Sequence, residues 1–319
     1  MKRLAFSCVV GLGCLYSMVL NADILVLRSK GPDFKRFFEL LNEELGDDYK
    51  LTDHIVDRNG NAYETLKAIH DNQPKLVVLL DNIPVKRAKK LINQGHKLPP
   101  MVATMSLNLR NHLKGVAGIA GIGYEVSAYS MVHEFNRILA KKIRRVKVLY
   151  RKSSFQHLID DAVRQLSREK ISLHAVNVED KNKAIMNKRI QKELTRASDD
   201  AEALLILLDS KLITQENFVS IWINQAKRAT IPFLCGIEKF ARKPINLCSF
   251  AAYPDPSSLA SHVADMVHSI VEDGIKTEEI GVEYIVSNQK ILNQDKIHQM
   301  ELKIKTISID GLEIIRKQD

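Results

Sequence analysis

Beyond residue 22 this chain has no long apolar run, so its body contains nothing built to cross a bilayer as a helix. It also lacks the G-x-S-x-G nucleophile elbow and the Walker phosphate loop, which removes two common routes to hydrolase chemistry. His133-Glu134 begins like a zinc-protease helix, but Arg137 stands where the second His belongs. The ten His residues are dispersed, and nothing in the sequence gathers three of them. No catalytic residue, metal or cofactor is therefore expected. Cysteine is scarce as well: Cys8 and Cys14 fall in the first 22 residues, which leaves Cys235 and Cys248 for the rest. Each sits in a short β-like run, Ile231–Gly236 and Ile245–Phe250. The pair fits either one disulfide of an oxidising compartment or two buried thiols acting as small apolar side chains.

What is present begins with an export pattern. Lys2 and Arg3 form a charged start, Leu4–Leu20 is mainly apolar, and Asn21-Ala22 offers a small-residue exit before Asp23. Residues 1–22 are expected to be a signal peptide, with an uncleaved membrane anchor as the alternative; a lipoprotein exit at Cys14 fits less well. Either way the body is expected outside the cytoplasm, periplasmic or extracytoplasmic. With 45% hydrophobic and 27% charged residues it is neither disordered nor membrane-embedded. The formal charge is +9, and +7 without Lys2 and Arg3. Its basic residues are interspersed with Asp and Glu, as in Lys181–Asp200, which reads as solvated surface and not as a nucleic-acid face.

Short apolar runs alternate with amphipathic ones along almost the whole chain. Strands are predicted at Ile24–Leu27, Leu51–Val56, Lys75–Asp81 and Met101–Ser106, and helices at Asp33–Leu45, Tyr63–His70 and Val85–Gly95. The alternation restarts after a Gly-rich passage, Gly115–Gly123, read here as a pliable crossing because Gly tolerates the torsions a hinge requires. Strands follow at Val146–Tyr150, Ile171–Val178, Ala203–Asp209, Ile231–Gly236 and Ile245–Tyr253. Helices are expected at Val126–Ile143, Phe155–Arg168, Asn182–Ala197, Gln215–Lys227 and Pro256–Glu272. The tail carries β-like stretches at Tyr284–Ser287 and Lys303–Ile309. This is an α/β pattern of two doubly wound parallel-sheet lobes.

Ligands in such sheets collect at the carboxyl ends of the strands. The residues there are Ser29, Asp81, Thr104 and Ser106 in the first half, and Tyr150, Ser153, Asp209, Glu238 and Tyr253 in the second. They form a polar set rich in hydroxyls, suited to a small polar solute, although strand ends are polar in many proteins. Tyr150 and Tyr253 fit either stacking on an aromatic ligand or capping the core.

Four passages carry a family likeness: Pro99–Ser106 with Gly115–Gly118 after it, Ile143–Tyr150, Ile231–Gly236, and Ala251–Tyr253 leading into Leu259–Gly274. Asn288 matches an Asn of the same family's closing segment. On these the chain resembles the solute-binding proteins of ABC transporters with the type I periplasmic-binding fold, in the group often annotated for tryptophan or tyrosine. It departs from that group where Leu107-Asn108 replace an Asp-Pro and Ala117 replaces a Thr. The resemblance implies a hinge crossed three times, with a first lobe of 23–117 plus 254–278 and a second of 118–253 plus 279–319. It implies a non-enzymatic receptor that captures a small polar or aromatic solute, such as an aromatic amino acid, and presents it to a membrane ABC permease. The alternative is an envelope sensory or scaffold protein of the same fold, partnered by a sensor kinase. An exported hydrolase and a transcription regulator are disfavoured, for want of a nucleophile–base pair and of a DNA-reading helix pair.

Overall fold

In the structure, a computed structural model, residues 23–285, 287–305 and 311–316 are described. The expected signal segment, residues 1–22, lies outside them. Among the described residues thirteen strands form two sheets. The first holds β1 (Ile24–Arg28), β2 (Leu51–Ile55), β3 (Leu76–Leu80), β4 (Met101–Thr104) and β5 (Ile119–Gly123), joined by a late strand, β11 (Val282–Tyr284). The second holds β6 (Arg145–Tyr150), β7 (Ser172–Asn177), β8 (Ala203–Ile206), β9 (Phe233–Cys235) and β10 (Phe250–Pro254), extended by β12 (Asn288–Asn293) and β13 (Leu312–Ile315).

The strand orders are β11-β5-β4-β3-β1-β2 and β13-β12-β10-β9-β8-β6-β7. All neighbours are parallel except β10 and β12. Each lobe therefore repeats one winding: its second strand lies outside its first, and the third, fourth and fifth follow on the other side. Strands buried on both faces must be apolar throughout, and β1, β3 and β4 are buried at every position.

Helices fill both faces of each sheet. Pro32–Leu45 buries Phe37, Leu41 and Leu45 against the first sheet, together with Leu259, Val263 and Val267 of the helix Pro256–Val271. That helix follows β10 of the second sheet but returns to the first lobe. Its start is set by Asp255, whose carboxylate accepts from the Ser257 and Ser258 amides at 2.9 and 3.3 Å, with Pro256 in the first turn. Asn61 and Asn182 cap the helices Ala62–Asn72 and Lys183–Thr195 in the same way.

The two sheets divide the chain differently from the sequence reading. Gly118–Gly123 and residues 279–284 were expected in the second lobe, yet β5 pairs with β4 of the first sheet and β11 pairs with β5. The glycines expected at a hinge serve a turn and then a strand. Gly115 and Gly118 have φ of 72° and 83°, and a Cβ on Gly121 would run into the Ala103 carbonyl of β4. The chain passes between the sheets instead after β5, at Asp255 and between β11 and β12.

Two predicted helices are also shorter or more broken than expected. Ala128–Ile138 ends early because the Asn136 side chain exchanges hydrogen bonds with the Ile143 backbone, at 2.8 and 3.2 Å. Gln215–Lys227 contains a π-helical stretch, Phe218–Ile223, held where the Trp222 indole donates to the Leu212 carbonyl at 3.2 Å. Of the expected strand Lys303–Ile309, residues 306–309 lie outside the described set, and Ile304 makes an isolated bridge to Leu139. Cys235 and Cys248 form a disulfide, with Cα atoms 6.1 Å apart.

Candidate functional site

The carboxyl ends of both sheets face a common gap. Asp33, just past β1, pairs with Lys239, just past β9, at 2.6 Å. Asn108, after β4, donates from Nδ2 to the Ser154 carbonyl of the second lobe at 3.1 Å. Between these contacts and the crossing segments lies a cavity of about 350 Å³. The first lobe contributes Asn108, Arg110 and Gly123 to its wall, the crossing after β5 contributes Glu125, and the second lobe contributes Phe155, His157, Leu205–Leu208 and Asn288.

Its polar groups have an unusual status. Among the described residues five buried side-chain polar atoms lack a hydrogen-bond partner, and three of them, Asn108 Oδ1, His157 Nε2 and Asn288 Oδ1, belong to residues lining this cavity. Such atoms are rare because each forfeits on the order of 1–3 kcal/mol of hydration. Asn108 sits at φ 59°, a left-handed backbone that Asn tolerates better than most residues, and its amide donates to the Glu125 carboxylate. Burial pushes the Glu125 carboxyl up to about 7, against a backbone hydrogen bond that lowers it. At the rim the Arg110 guanidinium lies 4.5 Å from the centre of the Tyr284 ring and donates to the Val282 carbonyl at 2.9 Å. On the other side of the gap burial raises the Tyr124 phenol to about 12, assisted by the charges of Asp33 and Glu238.

None of the nine residues expected from strand ends is in the cavity wall. They are mostly spent on one another or on near neighbours. Ser29 donates to Asp81 at 2.6 Å, so these two meet, and Ser106 donates to Asn82. Thr104 is fully buried and donates to the Ile122 carbonyl at 3.4 Å. The Tyr150 hydroxyl donates to Gln156 at 2.9 Å, and Ser153 binds Glu179 through both its amide and its hydroxyl. Arg151 holds Asp209 with two bonds of 2.6 and 3.0 Å. Glu238 accepts from Arg242 at 2.7 Å, and the half-buried Tyr253 lies close enough to feel both charges. Strand-end position alone could not separate residues that serve each other from residues left for a ligand. Asn108 and Asn288 were visible only as points of departure and agreement with a family pattern, and Glu125 and His157 carried no sequence signal.

Among the described residues no three His, Cys, Asp or Glu side chains are placed to share a metal ion, and no helix is long and apolar enough to cross a membrane.

No family model matches the sequence, and no curated protein does. Solved structures do match the fold. An ABC domain in complex with L-Trp from Streptococcus pneumonia superposes with a TM-score of 0.61 at 13% identity, covering 90% of this chain and 96% of that one. The ligand-free, open form of CD0873 from Clostridium difficile, described as a substrate binding protein with adhesive properties, gives 0.65 at 13% identity over 92% and 98%. A XylFII-LytSN complex mutant gives 0.56 at 10% identity over 87% and 99%. At such identities the likeness concerns architecture: two lobes of parallel-dominated sheet, alternating with helices and crossed three times. This chain has the type I periplasmic-binding fold.

Proposed function

We propose that this chain is a non-catalytic receptor that encloses a small solute between its lobes and presents the closed form to a membrane partner. The observation that carries the reading is the inter-lobe cavity of about 350 Å³, whose lining residues leave three buried polar atoms unpaired. The volume lies within the usual range for small-molecule sites, and a ligand would satisfy the orphaned atoms. Lobes built on 23–123 plus 256–284 and on 128–254 plus 288–305 and 311–316 would close by bending at the three crossings. The strand-end residues, held by one another or by near neighbours, would form the rigid faces that approach each other.

Export through the N-terminal segment would place this receptor in the periplasm or an equivalent space, where an ABC permease is the partner its fold and leader fit best. The superposed structures include both an ABC domain holding an amino acid and a complex named with LytSN, which keeps a sensor partner as the second reading. Co-purification from membranes separates the two: a permease supports transport, a sensor kinase supports signalling.

A thermal-shift screen of amino acids, amines, nucleosides and small organic acids tests the receptor itself. A true ligand at about a hundred times its Kd adds about 2.7 kcal/mol of stability. An unfolding temperature unmoved by every class would overturn the proposal.

A further inference from the structure

The cavity says more about its occupant than its size does, because its unpaired atoms are not evenly divided between donors and acceptors. Asn108 spends its Nδ2 on the Ser154 carbonyl, so the unpaired atom it leaves is the acceptor Oδ1. Asn288 also leaves an acceptor. The Glu125 carboxylate, beside Asn108 through the Asn108 amide, adds acceptor oxygens. His157 Nε2 is also unpaired, a donor or an acceptor according to its tautomer. The one fixed cation in the wall, Arg110, stands exposed at the rim and gives its guanidinium to the Val282 carbonyl and the Tyr284 ring. Phe155, Leu158 and Leu207 supply apolar surface.

We propose that the cavity binds an organic ammonium with an apolar body, its charged nitrogen seated at Glu125 and Asn108 and its carbon frame against Phe155, Leu158 and Leu207. This rests on the receptor reading above. An ammonium offers three donors and a charge, which suits the unpaired amide oxygens of Asn108 and Asn288 and the Glu125 carboxylate among the lining residues. A carboxylate or phosphate in the same place would meet Glu125 and two amide oxygens.

One consequence distinguishes this ligand class from others. The titratable or charged groups facing the cavity are Arg110, Tyr129, His157, Asp161 and Tyr284, and none of them contributes to the upward displacement of Glu125, which burial causes. About half of the Glu125 population is thus protonated near pH 7, while a primary amine remains charged. Seating an ammonium beside the carboxyl favours its ionised form, so binding expels a proton and affinity rises with pH.

The test uses the full chain and a matched series: 2-phenylethylamine, phenylalanine and 3-phenylpropionate, with hexylamine and hexanoate as aliphatic counterparts. Titration calorimetry is run at pH 6 and pH 8, and at pH 7 in two buffers of different ionisation enthalpy. The amines are expected to bind about tenfold tighter at pH 8 than at pH 6 and to release about half a proton at pH 7. Glu125→Gln should bind them more weakly and with no pH dependence, while its unfolding transition shows that it still folds. The proton release is measured on the unaltered chain, so it stands even if the variant fails. Binding of the acids without the amines, or amine binding with no proton release, overturns the ammonium assignment and leaves the receptor reading intact. No binding in this series, with stabilisation by another solute class in the broad screen, also overturns the assignment alone. Failure of every solute overturns both.

Discussion

Arg151 and Asp209 form a buried, two-bond ion pair across the second sheet, with Nε and Nη2 of the arginine 3.0 Å or less from the carboxylate oxygens. Their side chains are only 10% and 2% exposed, and Asp209 also accepts the Lys211 amide at 2.9 Å. The pair ties the end of β6 to the loop after β8, directly behind the Leu205–Leu208 part of the cavity wall. An aspartate at a strand end invites assignment to a ligand; here its charge already has a partner.

Removing one member of such a pair strands the other charge away from water. Asp209→Ala should therefore cost about 3–5 kcal/mol, seen as a lower urea midpoint at unchanged slope. The double variant Arg151→Met/Asp209→Leu should recover most of that loss, because it buries no charge at all. A single variant within about 1 kcal/mol of the parent would show the pair to be solvated.

The disulfide between Cys235 and Cys248 closes a short loop, with the two cysteines 13 positions apart in sequence. Replacing both with Ala should lower stability by about 3 kcal/mol through the freedom returned to the unfolded chain. Alkylation under denaturing conditions without reductant, followed by peptide mapping, should leave both cysteines unlabelled. Labelled Cys235 and Cys248 would mean two buried thiols.

Glu125 makes stability depend on pH with an unusual sign. Its folded carboxyl is raised to about 7 from an ordinary value of 4.5, so between these two the folded chain holds more protons than the unfolded one. Stability from this group is full below pH 4.5, falls as pH rises towards 7, and is flat above it. The loss is at most on the order of 3 kcal/mol. Glu125→Gln keeps the shape without the ionisation. Its denaturation midpoint should equal the parent's near pH 4.5 and exceed it by pH 8. A difference between the two proteins that does not change with pH would show that Glu125 is solvated.

Much of the architecture was legible because parallel strands buried on both faces favour apolar runs, and β3 and β8 announce themselves that way. β5 was hidden. Its sequence, Ile119-Ala-Gly-Ile-Gly123, reads as a pliable link, but Gly121 is there because β4 leaves no room for a Cβ. β12 opens with three polar residues and the edge strand β13 is only four residues long, so their pattern is weak. The rule that ligands gather at strand ends pointed to the gap between the lobes. It could not tell Asp81, satisfied by Ser29, from Asn108, left with an unpaired oxygen.

The amino-acid order alone determined an α/β chain of two similar windings, since the spacing of apolar residues is a local property that each segment carries with it. It also determined the lack of recognised catalytic motifs. Only the tertiary structure decided where the lobes part, which cysteines join, and which residues around the cavity keep a polar atom without a partner. Those outcomes depend on residues far apart in the chain, such as Asn108, Glu125, His157 and Asn288, meeting around one space. No local pattern encodes whether a polar atom's partner will arrive from elsewhere.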